Sequence, residues 1–172
     1  MLQYILNDNS NKYIGLLHLL FALFISLYGF IFKKNSFDYI YILYICLVIV
    51  SWTFYNGECP LTYYIKKQQN NKYIAGKDST DLTDMYLLFG SKKVVDGFIF
   101  VSIFLNAVSE YIVLKRNNYS LFIQTGFPIA HVLYTMSLRL YSGNLYNNTA
   151  FLTIQESFKA LFIIFLIFIL SK

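Results

Sequence analysis

This chain is poor in charge. Of its 172 residues only 13% are Asp, Glu, Lys or Arg, against roughly 25% in soluble proteins, and so thin a supply excludes an ordinary water-facing surface. Proline is scarce as well: Pro60 and Pro128 are the only two, so little interrupts a helix. Cys46 and Cys59 are the only cysteines, which excludes a disulfide framework. On a single helix their spacing amounts to about 20 Å of rise, beyond the reach of a disulfide, and Cys46 reads as a lipid- or core-facing hydrophobe. The sequence also lacks a P-loop, a dinucleotide-binding fingerprint, and any H-E-x-x-H, H-x-x-x-H or C-x-x-C spacing, so no motif names a cofactor. No cleavable leader is expected, because the first apolar run follows Asp8 and Lys12 and has no small-residue cleavage site.

What fills the chain is hydrocarbon. Apolar residues make up 57% and aromatics 20%, with 16 Tyr and 17 Phe. Five nearly uncharged stretches, at residues 13–32, 39–55, 94–114, 119–141 and 151–170, approach or exceed the roughly 20 residues a bilayer-spanning helix needs. The expected fold class is therefore all-α: a polytopic membrane helix bundle of about five transmembrane helices, forming a single transmembrane domain over residues 1–172. Tyr residues at segment ends, such as Tyr13, Tyr39, Tyr55, Tyr119 and Tyr141, suit headgroup depth, where the ring is buried and the hydroxyl stays wet.

The only long connection, residues 58–93, gathers Lys66, Lys67, Lys72, Lys77, Lys92 and Lys93 around Asp78, Asp81 and Asp84. A net charge of +5 concentrated in this way points to anionic lipid headgroups at the lysine-rich loop. It does not point to nucleic acid, since no basic face with interleaved aromatics lies outside the apolar segments. Two short interfacial helices are predicted inside the loop. One covers residues 60–68, with Pro60 in its first turn. The other covers 81–89, with Ser79 or Thr80 as cap and Gly90 as stop. Asn70 to Lys77 reads as turn material. Pro128 is expected to kink the fourth span, which Gln124, Thr125, His131 and Arg139 also interrupt.

Five spans place the N-terminus, the long loop and the last loop on one side. The lysine excess favours that side as cytoplasmic, by about two charges. The sequons at Asn118 and Asn147 fall on opposite sides, so they are not both glycan sites. Counting depth at about 1.5 Å per residue puts nearly every ionisable group of the spans in the half facing the long loop: His18, Glu58, Cys59, Asp96, His131, Arg139 and Glu156. Glu110 falls near the opposite face. Buried charges at such depth need partners. A structural network of Glu156 with Lys159 and Asp96 with Arg139 meets that need. A polar pocket covered by Asp81 and Asp84 meets it too. His18, Glu58, Asp96 and His131 are candidate metal ligands, and Cys59 beside Glu58 is a candidate nucleophile.

The run Trp52-Thr53-Phe54-Tyr55-Asn56-Gly57-Glu58-Cys59-Pro60-Leu61-Thr62 resembles the Trp…Cys-Pro-Leu-Thr signature of a family of small, uncharacterised multi-spanning membrane proteins. In that family the signature ends the second helix and a His-Leu-Phe-like run lies in the first; here His18-Leu19-Leu20-Phe21 stands there. The resemblance covers the first half of the chain. Tyr63, Tyr64 and Ile65 occupy the place where the family often has an acidic residue. The likeness implies a helical membrane fold and draws attention to His18, Cys59 and Pro60; it supplies no reaction. A mechanical account of the same run has Trp52 anchoring at headgroup depth, Gly57 and Pro60 breaking the span and Thr62 capping the next helix.

Three functional readings follow. The first is a structural or scaffold protein of a cellular or viral membrane, working through helix and lipid contacts, as a homo- or hetero-oligomer or alone. The second is a membrane enzyme or small-ligand or metal binder using the polar cluster. The third is a small transporter with a broken fourth helix. Polarity that stops halfway across argues against a pore through one subunit.

Overall fold

Apolar runs with almost no proline form helices, and in hydrocarbon they must, because each backbone amide has to be satisfied within its own segment. The computed structural model describes residues 8–77, 83–141 and 145–172, and among them it contains no strand. Five long helices carry the apolar stretches: α1 (Asp8–Ile31), α2 (Phe37–Phe54), α5 (Lys92–Arg116), α6 (Leu121–Leu140) and α7 (Thr149–Leu170). Of these, α2, α5, α6 and α7 are long and apolar enough to cross a membrane, while the apolar part of α1 is the shorter Gly15–Ile31. The long connection carries α3 (Pro60–Gln69) and α4 (Thr83–Phe89). Ser79, Thr80 and Asp81, expected at the start of the latter, lie outside the described residues. So do residues 142–144 of the turn before α7, and so does the side chain of Asp84. A single 3-10 turn, Leu145–Asn147, leads into α7, whose N-cap Asn148 accepts from the Phe151 N–H at 3.1 Å. α6 runs on as one helix with Pro128 inside it.

The long helices close into a ring. α1 packs on α5, α5 on α6, α6 on α7 and α7 on α2. α2 returns to α1 through two ring stacks, Tyr41 on Tyr28 with centroids 4.3 Å apart and Tyr44 on Phe21 at 5.7 Å. Ile42, Ile45, Cys46 and Ile49 of α2 meet Phe127 and Tyr134 of α6 and Phe162 and Phe165 of α7 in the core. α1 and α5 approach most closely at Gly29. Its N–H donates to Ser109 Oγ at 2.8 Å, and a Cβ there would lie 2.5 Å from the Ser109 carbonyl oxygen. Only a residue without a side chain permits that backbone contact.

The connections sort to two ends of the bundle. At one end Leu145 N donates to Gly76 O at 3.0 Å, joining the long loop to the turn before α7. Asn56 bridges the same parts, donating to Ala75 O and accepting from Gln155. At the other end the α1–α2 and α5–α6 turns and the C-terminus meet, with Lys172 donating to Asn117 O.

Candidate functional site

The distinctive run at the end of α2 makes two backbone decisions within five residues. Asn56 and Gly57 both take left-handed conformations, φ 51° and 80°, and the Gly57 N–H donates back to Trp52 O at 2.8 Å, a six-to-one closure that ends the helix. Pro60 then occupies the first turn of α3, where its missing N–H costs nothing. The N-cap of α3 is therefore Cys59, in extended conformation, and Thr62 sits inside the helix; the expectation that Thr62 would cap it is corrected. Since Pro60 has no N–H, the first free amides of α3 belong to Leu61 and Thr62; they lie near the Cys59 sulfur, although Cys59 makes no side-chain capping hydrogen bond.

From α1 the His18 imidazole lies beside the same thiol, close enough to act on its ionisation. Burial pushes the Cys59 thiol up, but His18 and the amides of Thr62 and Leu61 outweigh it and hold the thiol below its ordinary value. These are the surroundings that favour a thiolate: a helix N-terminus, a partner imidazole and partial exposure. Cys46 differs in every respect. It is fully buried in the core, and its sulfur donates to the Phe162 carbonyl at 3.7 Å.

Glu58, the neighbour expected to serve Cys59 as a base, turns elsewhere. Its buried carboxylate accepts from Tyr73 Oη at 2.9 and 3.1 Å and from the Gly76 N–H at 3.2 Å, and it pairs with Lys66 at 3.0 Å. Lys67 Nζ in turn donates to Tyr73 O at 3.1 Å. Glu58 thus pins the loop at 70–77 onto α3, and the titratable neighbour of Cys59 is His18.

The remaining candidates do not join them. His131 Nδ1 lies 2.6 Å from Glu110 Oε1, with both side chains buried. Asp96 pairs with Arg139 at 3.2 Å and Glu156 with Lys159, as the structural network predicts. No three of the His, Cys, Asp and Glu side chains among the described residues stand close enough to hold a metal ion, so His18, Glu58, Asp96 and His131 are not brought into one ligand set. Equal depth along five helices is not proximity, because rotation about each axis decides which neighbour a side chain meets.

One polar centre was missed altogether. Asp38, 2% exposed, accepts from Arg116 Nε at 2.8 Å, Asn117 Nδ2 at 2.6 Å and Tyr28 Oη at 3.0 Å, and pairs with Arg116 Nη2 as well. It latches α1, α2 and the end of α5 together. A charge signal for it exists in the sequence: Asp38 is the one acid in a turn set among Lys33, Lys34, Lys115, Arg116 and Lys172.

No protein-family model, curated protein or solved structure matches the chain. The fold and the outward apolar faces are compatible with an integral membrane protein.

Proposed function

We propose that this chain is a multi-pass membrane protein whose working group is the Cys59 thiol, a nucleophile at the rim of the bundle. The observation that carries this is the closeness of His18 to a half-buried cysteine at the N-cap position of α3. An imidazole beside a thiol supplies both halves of nucleophilic catalysis, the activated sulfur and a group that returns the proton to a leaving atom. Cys59 is half-buried, close to α1 and to Tyr44 of α2, so an electrophile reaching it would come from the boundary of the apolar bundle. The reaction class is thiol addition or transfer at a membrane surface.

Alkylation by iodoacetamide of the purified protein in detergent tests this. Cys59 is expected to react, and its rate to reach a plateau at lower pH than a free cysteine, because the thiolate is the reacting form. The His18→Ala variant is expected to shift that profile upward, while Cys46 stays unlabelled until the chain unfolds. A Cys59 profile indistinguishable from that of free cysteine, and unmoved by His18→Ala, would sink the proposal.

A second reading keeps a specific observation on its side. Asp38, Glu58, Asp96, Glu110 and Glu156 each have a partner within the chain, as a scaffold held by internal polar contacts would require. In that case Cys59→Ser would leave every cellular phenotype intact.

A further inference from the structure

A cleft of about 370 Å³ opens between α5 and α6, with Tyr86 of α4 at its wall, far along the chain from Cys59. Its lining changes character with depth. Lys92, Asp96 and Arg139 stand at one end; Phe100 and Ile103 follow on the next turns of α5, and Met136 lies one turn before Arg139 on α6. The two helices run antiparallel, so both sets pass from charged to apolar in the same direction. The Asp96–Arg139 pair is loosely held, with a 3.2 Å separation and side chains 42% and 30% exposed. Among the described residues Arg139 is the one hydrogen-bond donor to Asp96, whereas Asp38 at the opposite end is filled by Arg116, Asn117 and Tyr28. A carboxylate has room for several donors. The mouth therefore offers two cationic donors, the Tyr86 side chain and one accessible carboxylate above an apolar floor.

We propose that this cleft seats one phospholipid with a primary-amine headgroup, a phosphatidylethanolamine. Arg139 and Lys92 take the phosphate, Asp96 takes the ammonium, and Phe100, Ile103 and Met136 take the first part of an acyl chain. Guanidinium is suited to phosphate because its donors form a planar fork. The carboxylate discriminates among headgroups. A choline nitrogen carries no N–H to donate to it, and a glycerol headgroup offers it only neutral hydroxyls, without the charge of an ammonium. The volume accommodates a headgroup and the first methylenes; the rest of the chain lies against the exposed Phe100, Val101 and Phe104 of α5.

Native mass spectrometry of the full chain in detergent decides the matter. Phosphatidylethanolamine, phosphatidylcholine and phosphatidylglycerol with the same acyl chains are supplied in equal amounts. The ethanolamine lipid is expected to give about tenfold more one-lipid adduct than either competitor, the size of one charge-assisted hydrogen bond. Asp96→Asn should bring its adduct down to the choline level, and Arg139→Gln should lower all three. Lys92→Gln, on an exposed side chain, should also weaken the ethanolamine adduct and provides a second variant if Asp96→Asn unfolds in a thermal melt. Soluble glycerophosphoethanolamine should compete poorly, since it lacks the chain that the apolar floor receives. Equal adducts of all three lipids, a preference for phosphatidylglycerol, or full competition by the soluble headgroup would each overturn the proposal.

Discussion

At the scale of single residues, the chain handles charge in hydrocarbon by local pairing. Glu110 is wholly buried, and its Oε1 meets His131 while its Oε2 has no partner among the described residues. It also lies within electrostatic reach of Tyr41 and Cys46. Truncating one member of such a pair leaves the other buried without it, at a cost of about 1–3 kcal/mol. Glu110→Ala is therefore expected to lower stability by that amount in a denaturing-detergent titration, and Glu110→Leu combined with His131→Phe to recover most of it, since apolar replacement of both partners is often neutral. Equal losses in the single and double variants would show that the pair is not a unit. Both residues were visible in the sequence, but depth counting set Glu110 apart from His131. A count of about 1.5 Å per residue sees neither helix tilt nor the reach of a Glu side chain. The pairs Glu156–Lys159 and Asp96–Arg139 were legible because one is local on a helix and the other joins residues at matching ends of neighbouring helices.

At the scale of elements, the interfaces rest on shape at a few positions. α1 and α5 touch backbone to backbone at Gly29 and Ser109, with Ser26 donating to Asn106 one turn away at 2.6 Å. Gly29→Ala would push a methyl to within 2.8 Å of the Ser109 Cα, so the helices would have to separate. Overpacking of this kind costs about 1–3 kcal/mol, and the variant is expected to unfold at correspondingly lower denaturant in the same titration. Gly97→Ala on α5, where an added Cβ meets nothing, serves as the control and should be neutral or slightly stabilising, because alanine favours the helix. The sequence located α1 and α5 but not this crossing: a lone glycine in an apolar run carries no sign of what lies opposite. The same holds for Cys59. Pro60 and Gly57 announced a break, yet the choice of Cys59 over Thr62 as cap depended on where the Asn56–Gly57 turn aimed the chain.

At the scale of the whole molecule, apolar surface remains on the outside of all five long helices, among it Leu17, Leu20, Phe30, Ile40, Leu47, Phe100, Val101, Phe122, Leu133, Ile167 and Phe168. Exposed large apolar side chains on every long helix are more than a soluble monomer ordinarily carries. The purified chain is expected to stay monodisperse on a sizing column only with detergent or lipid, and to aggregate when detergent is withdrawn; a stable monomer in plain buffer would remove the bilayer from every proposal made above. That apolar exterior, the helical class and the approximate helix ends are determined by composition and by the length of uncharged runs, because a backbone in hydrocarbon has few ways to satisfy its amides and the helix is the local one. Tertiary structure alone decided the partners: His18 with Cys59, His131 with Glu110, and Asp38 with Arg116, Asn117 and Tyr28. Each of these links different segments of the chain, and the rotation and tilt that bring two such faces together come from packing across the bundle, which no single segment encodes.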